Sequence, residues 1–171
     1  MKNWVFYHRP RTGGAYLIRQ LINAGTTVYV GFLSGLGRNI THAEMLEYAA
    51  KHSAEAGHLI VETECSSAVT LTVEEAKDLK SRGWGIIVTT RHDVPWKHSL
   101  YRTFCIDPVT LQRNGWWRGI PEIVAMADAV GRCGPGGAKE ILAKMGLSTD
   151  VEEEVLNAAP KRRMRTRRYT N

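Results

Sequence analysis

The chain has 171 residues, 43% hydrophobic and 23% charged, which fits one globular domain of ordinary composition. No apolar run approaches the roughly 18 to 20 residues that a membrane-spanning helix needs, so a membrane protein is excluded. The net charge of +6 is local: Lys161, Arg162, Arg163, Arg165, Arg167 and Arg168 supply six positives with no acid from Pro160 onward, and the remaining 17 basic and 17 acidic residues cancel.

Residues 3–8 (Asn-Trp-Val-Phe-Tyr-His) are aromatic and β-branched and predict a strand, which stops at the turn Arg9-Pro10-Arg11-Thr12-Gly13-Gly14. A helix is expected next. Leu17 and Leu21, and Ile18 and Ile22, recur at i and i+4, and Asn23-Ala24-Gly25 supplies the stop. Residues 26–31 read as a second strand, 34–39 as a loop, and Thr41 with Glu44 as a capping box that opens a helix to about residue 56.

Residues 58–63 predict a third strand, Thr72 with Glu75 caps a helix to about residue 82, and residues 84–90 predict a fourth strand, placed centrally because it is nearly all apolar. The alternation implies βαβ units: a three-layer α/β sandwich around a central, mainly parallel sheet of about four strands. Beyond Arg91 the pattern turns helical, over about 95–104, 121–131, 137–145 and 150–158, with no strand evident. One domain over 1–159 is expected, followed by a basic, disordered tail over 160–171. There is no internal repeat.

Cys65, Cys105 and Cys133 are odd in number and far apart, so reduced thiols are expected, with neither a disulfide framework nor a Cys-x-x-Cys metal site. The first eight residues lack the apolar stretch and cleavage site of a secretory signal. A cytoplasmic location is the expectation.

Two segments carry chemistry. In the turn after the first strand, Gly13 and Gly14 let the backbone curl around an anion at the start of a helix, and Arg11 and Thr12 add charge and a hydroxyl. Neither Gly-x-x-x-x-Gly-Lys-Ser/Thr nor Gly-x-Gly-x-x-Gly is present, and a plain glycine turn joining strand to helix explains the motif as well. At the end of the fourth strand stand Arg91 and, eight positions on, Ser99. A helix starting near Val94 would put Ser99 roughly 8 Å along its axis, where it and Arg91 can converge on one phosphate.

Together these segments resemble the sulfotransferases that use 3′-phosphoadenosine 5′-phosphosulfate (PAPS). The first block reads Pro10-Arg11-Thr12-Gly13-Gly14-Ala15-Tyr16-Leu17, and the second runs from Arg91 through Ser99 to Tyr101. The resemblance implies a P-loop-like α/β fold in a short, divergent member. It also implies that Arg11, Thr12, Gly13, Gly14, Ala15 and Tyr16 bind the 5′-phosphosulfate, while Arg91 and Ser99 bind the 3′-phosphate.

The family's base lies near the end of an intermediate strand, a place that Glu64 occupies here, with Glu62 on the same side by period two. Such a reaction needs a base on the acceptor oxygen and cations over the developing charge, so the catalytic candidates are Glu64, Arg11 and Glu62. A solvated strand end is the competing reading of both glutamates, and His58 and His42 are the runners-up. Departures from the family pattern are His92-Asp93-Val94 before Pro95, where the family places proline nearer the arginine, and Ala15 in place of a hydroxyl residue.

Three further features are weaker. The cluster Gly131-Arg132-Cys133-Gly134-Pro135-Gly136-Gly137 reads as a helix-to-helix linker ahead of a second anion-binding loop. Trp116-Trp117-Arg118 can stack on a base or line an acceptor pocket. The tail can contact polyanions. Expected partners are the nucleotide donor and an acceptor hydroxyl or amine. The alternatives are a nucleotide kinase of the same sheet class, or a nucleotide- or nucleic-acid-binding accessory protein.

Overall fold

A computed structural model describes residues 2–30, 38–52, 57–64, 70–92, 96, 97, 99 and 120–151. In chain order they form β1 (Lys2–His8), α1 (Gly14–Asn23), β2 (Thr27–Val30), α2 (His42–Lys51), β3 (His58–Glu64), α3 (Val73–Ser81), β4 (Gly85–Thr90), α4 (Ile120–Met126), β5 (Ala129–Arg132) and α5 (Pro135–Lys144). The sheet has five strands, all parallel, in the order β2-β3-β1-β4-β5.

Local sequence accounts for the helix starts. Thr41 and Thr72 each accept a hydrogen bond from the amide three residues on, and Glu44 and Glu75 reach back to the capping residues' amides. Both capping boxes close as their spacing predicts. α1 has no side-chain cap; Gly13 takes that place with φ 90°, a left-handed conformation that glycine adopts without the Cβ penalty.

Period-two alternation divides the strands between two cores. Trp4, Phe6, Ile60 and Ile87 face α1 and α5, where Leu17, Leu21, Ile141 and Leu142 are buried. Val5, Tyr7, Val61, Ile86 and Val88 face α2, α3 and α4 and meet Met45, Leu79 and Ile123. Each such side chain contributes roughly 1.5–3 kcal/mol on full burial. The two cores make three layers.

Strand order and crossover handedness fix the layers. From β1 the chain moves one way across the sheet to β2, whereas the steps β2 to β3, β3 to β4 and β4 to β5 all move the other way. Right-handed crossovers therefore put α1 on one face and α2, α3 and α4 on the opposite face. At its carboxyl end β1 sends the chain to one side while both neighbours, β3 and β4, send it to the other. That opens the crevice where ligands bind in sheets of this kind.

One sequence expectation is corrected. The helix expected over 121–131 stops at Met126, and Ala129–Arg132 form a fifth strand. Ala-Val-Gly-Arg has no β-branched run, yet a residue without a side chain is what position 131 requires: a Cβ on Gly131 would collide with the Gly137 carbonyl of α5. Asp128 pins the start of β5, its carboxylate accepting from the Ile86 amide at 2.8 Å and its own amide donating to the Ile86 carbonyl at 2.9 Å. The fourth strand is interior as expected, between β1 and β5, with β1 in the middle of the sheet.

Among the described residues no helix is long and apolar enough to cross a membrane. The expected helix at 150–158, apart from its first two residues, lies outside the described residues. So do the tail, Trp116 to Arg118, Cys65, Cys105, Tyr101 and most of 95–104.

Candidate anion site at the carboxyl edge of the sheet

The turn between β1 and α1 is held from inside. Thr12, fully buried, donates its hydroxyl proton to the Arg9 carbonyl at 2.7 Å and so accepts from the Thr89 hydroxyl of β4 at 3.0 Å. Arg11 has φ 64° and Gly13 φ 90°, so two left-handed residues bend the chain within three positions. The first intrahelical bond runs from the Leu17 amide to the Gly13 carbonyl at 3.0 Å, which leaves the amides of Gly14 and Ala15 ahead of it at the positive end of α1.

The segment after β4 closes over this turn. Arg91 donates to the Arg11 carbonyl at 3.2 Å, and the Arg11 Nε donates to the Ser99 hydroxyl at 3.2 Å. Trp96, fully buried, donates its indole N–H to the Pro10 carbonyl at 2.8 Å, and the Arg9 guanidinium stacks 4.1 Å from the centre of its ring. Arg9 also reaches the Arg91 carbonyl at 3.4 Å. The two remote segments therefore meet at one rim. Neither Arg11 nor Arg91 forms an ion pair with a carboxylate among the described residues. Each guanidinium has five N–H donors, more than its protein contacts use.

The glutamates of β3 differ. Glu62 is buried at 4% exposure, and its Oε1 lies 2.7 Å from the His8 Nε2; its Oε2 is buried without a partner. A solvated strand end is thus excluded for Glu62. The His8 Nδ1 faces the Arg9 carbonyl at 3.0 Å, and its ring stacks on Phe6 with centroids 4.7 Å apart. Burial, the largest single influence, opposes the imidazolium. The hydrogen bond and charge of Glu62, the charge of Glu64 and the Arg9 carbonyl together outweigh it, and the His8 pKa is raised above 6.5.

Glu64 ends β3 in register with His8 and is partly exposed. The fully buried Asn39 carboxamide clasps its backbone, accepting from the Glu64 amide at 3.1 Å and donating to its carbonyl. Arg38, the preceding residue, is gripped by Glu44 at 2.7 and 2.9 Å, which ties this clasp to the first turn of α2.

The glycine cluster is a strand-to-helix turn, not a helix-to-helix linker. It carries β5 into α5 with Gly134 at φ 117° and Pro135 as the first helical residue. The turn abuts the anion site: a Cβ on Gly13 would come 2.8 Å from the Cys133 Sγ. Cys133 is a free thiol.

Of the residues singled out in the sequence, the structure gathers Arg11, Thr12, Gly13, Gly14, Ala15, Arg91, Ser99, Glu62 and Glu64 at the carboxyl ends of β1, β3 and β4. Tyr16 starts there as backbone only, because its ring is buried in the apolar core. The Thr12 hydroxyl is committed within the turn. His58 lies at the other end of β3, accepting from the Trp4 indole at 3.2 Å, and His42 faces Asp78 of α3 at 3.0 Å; neither joins the site. Sequence reasoning missed His8, Asn39 and Trp96. His8 had one local signal, a polar residue closing an apolar strand just before a glycine turn, but its partner depends on β3 lying next to β1.

Among the described residues no group of three or more His, Cys, Asp or Glu forms a metal site. Compared with known proteins, the chain matches no family model, no curated protein and no solved structure.

Proposed function

We propose that the chain binds a doubly phosphorylated adenosine at the carboxyl edge of its sheet and transfers a sulfuryl group from PAPS to a hydroxyl or amine. The observation that supports this reading is the meeting of Arg11 and Arg91, 80 positions apart, at the positive end of α1 with no carboxylate partner among the described residues. Two guanidiniums, the Ser99 hydroxyl and helix-terminal amides form a donor set suited to phosphate and sulfate oxygens.

Arg11 and the amides of Gly13, Gly14 and Ala15 would hold the phosphosulfate end, and Arg91 with Ser99 the 3′-phosphate. PAPS supplies the activated sulfuryl group. Arg11 stabilises charge that builds on the departing phosphate oxygen, and Glu64, exposed enough to reach an acceptor, takes its proton. Glu62 is closed off from an acceptor by its burial.

Turnover of PAPS against a panel of hydroxyl and amine acceptors tests the reading. Glu64→Gln is expected to slow transfer at least 10²-fold, an order of magnitude ordinary for a lost general base, with donor binding retained. Equal turnover in wild type and Glu64→Gln contradicts the assignment. The acid beside the anion turn also suits a magnesium-assisted phosphoryl transfer, and tight binding of ATP only with Mg²⁺ would favour that kinase-like reading.

A further inference from the structure

His8 occupies a place that the proposed transfer does not use, and its surroundings constrain its protons. The Nδ1 faces a carbonyl, which only accepts, so that nitrogen carries hydrogen; the Nε2 faces a buried carboxylate oxygen at 2.7 Å. One further proton belongs to that short contact. The ring is wedged between Phe6 and the first turn of α1, where a Cβ on Gly14 would come 2.5 Å from its Cε1.

We propose that His8 is a positioning residue of the anion turn: doubly protonated, it bridges the Glu62 carboxylate of β3 to the Arg9 carbonyl beneath Gly14, and anion binding at the turn depends on that proton. The inference rests on the anion-site reading above. Loss of the proton converts a neutral imidazolium–carboxylate pair into a buried negative charge under the site, and leaves the ring one N–H for two acceptors, the Glu62 carboxylate and the Arg9 carbonyl. Affinity for an anion therefore falls as pH rises past the titration of His8.

The other groups facing His8 are named by the packing. Glu64 lies across from it on β3, Arg9 follows it, and its neighbour on β4 is Thr89, a neutral hydroxyl. Arg11 and Arg91 belong to the turn, and Cys133 touches Gly13 from the β5–α5 turn. Cys133, a free thiol at the edge of the turn, is the group to be controlled for. Cys133→Ser is therefore the control.

The experiment measures the affinity of adenosine 3′,5′-bisphosphate from pH 7 to 9, above the roughly pH 6 second ionisation of a phosphate monoester. Carbon and nitrogen NMR of the His8 ring accompanies it. Wild type and Cys133→Ser are expected to lose up to about tenfold in affinity per pH unit above the His8 titration, the limit for one linked proton. His8→Gln should show a flat profile. Glu62→Gln, which keeps the ring but removes its charge partner, should move the fall to lower pH and serves if His8→Gln does not fold. The ring should be doubly protonated at pH 7.

A flat wild-type profile, an unchanged profile in His8→Gln, or a neutral ring at pH 7 overturns the role of His8 while leaving the anion site standing. No binding at any pH overturns the anion site, and the role of His8 with it.

Discussion

The Nε of Arg11 donates to the hydroxyl of Ser99 at 3.2 Å, joining residues 88 positions apart in the chain. Arg11 lies in the turn that leaves β1, and Ser99 in the segment that leaves β4. Their contact exists because β1 and β4 are neighbours with their carboxyl ends at one edge, so the packing of the sheet brings together two motifs that the sequence keeps apart.

Ser99→Ala removes a hydroxyl from this rim without disturbing a core. Affinity for adenosine 3′,5′-bisphosphate is expected to fall about 10- to 100-fold, equivalent to the roughly 1.5–3 kcal/mol of a hydrogen bond to a charged group, with the urea midpoint little changed. Equal affinity in the variant removes Ser99 from the site.

Gly14→Ala tests the packing of the turn on His8. The new methyl would stand 2.5 Å from the imidazole Cε1, so the ring or the helix must shift. The variant should lose about 1–3 kcal/mol in chemical denaturation, the usual range for overpacking. Combining it with His8→Ala should cost less than the two single losses added together, because the clash is then gone. Additive losses mean that the two residues are not in contact.

Stability should depend on pH through His8. Its folded pKa lies above its ordinary 6.5, so its contribution is full below pH 6.5 and is lost as pH rises through the folded value. Urea midpoints measured from pH 6 to 9 should decline in wild type and decline less in His8→Gln. Parallel slopes would contradict a protonated His8 in the folded chain.

On the acid side the sign reverses. Arg38, then the Thr41 amide and hydroxyl at the helix cap, hold the Glu44 carboxyl down to about 2. Its contribution is present above about pH 4.5 and is lost as pH falls toward 2. Glu44→Gln should flatten the acid limb of the stability curve in part, since Asp78 beside Arg82 and Asp128 beside Lys80 are also lowered. An acid limb identical to that of wild type would mean that the capping box and Arg38 contacts do not persist in solution.

What the sequence revealed, and what it hid, follows from the range of each interaction. The alternation of β1 to β4 with α1, α2 and α3 was legible because apolar period and capping boxes are local signals, and each threonine that fits a box closes one. β5 was hidden because Gly131 is small for a non-local reason, the close approach of α5. The turn at Gly13 and the pair Arg91 and Ser99 were legible as motifs. The pairing of His8 with Glu62 was not, since 54 positions separate them and only the order of the strands sets them side by side.

Every role assigned above depends on a single anion site shared by two remote segments. Calorimetry with adenosine 3′,5′-bisphosphate at pH 7, on wild type, Arg11→Ala and Arg91→Ala, tests it most directly. Micromolar binding in wild type and a loss of at least tenfold in each variant are expected, from the removal of a charge-assisted contact. Absence of binding in wild type, or binding that survives both substitutions unchanged, would contradict it.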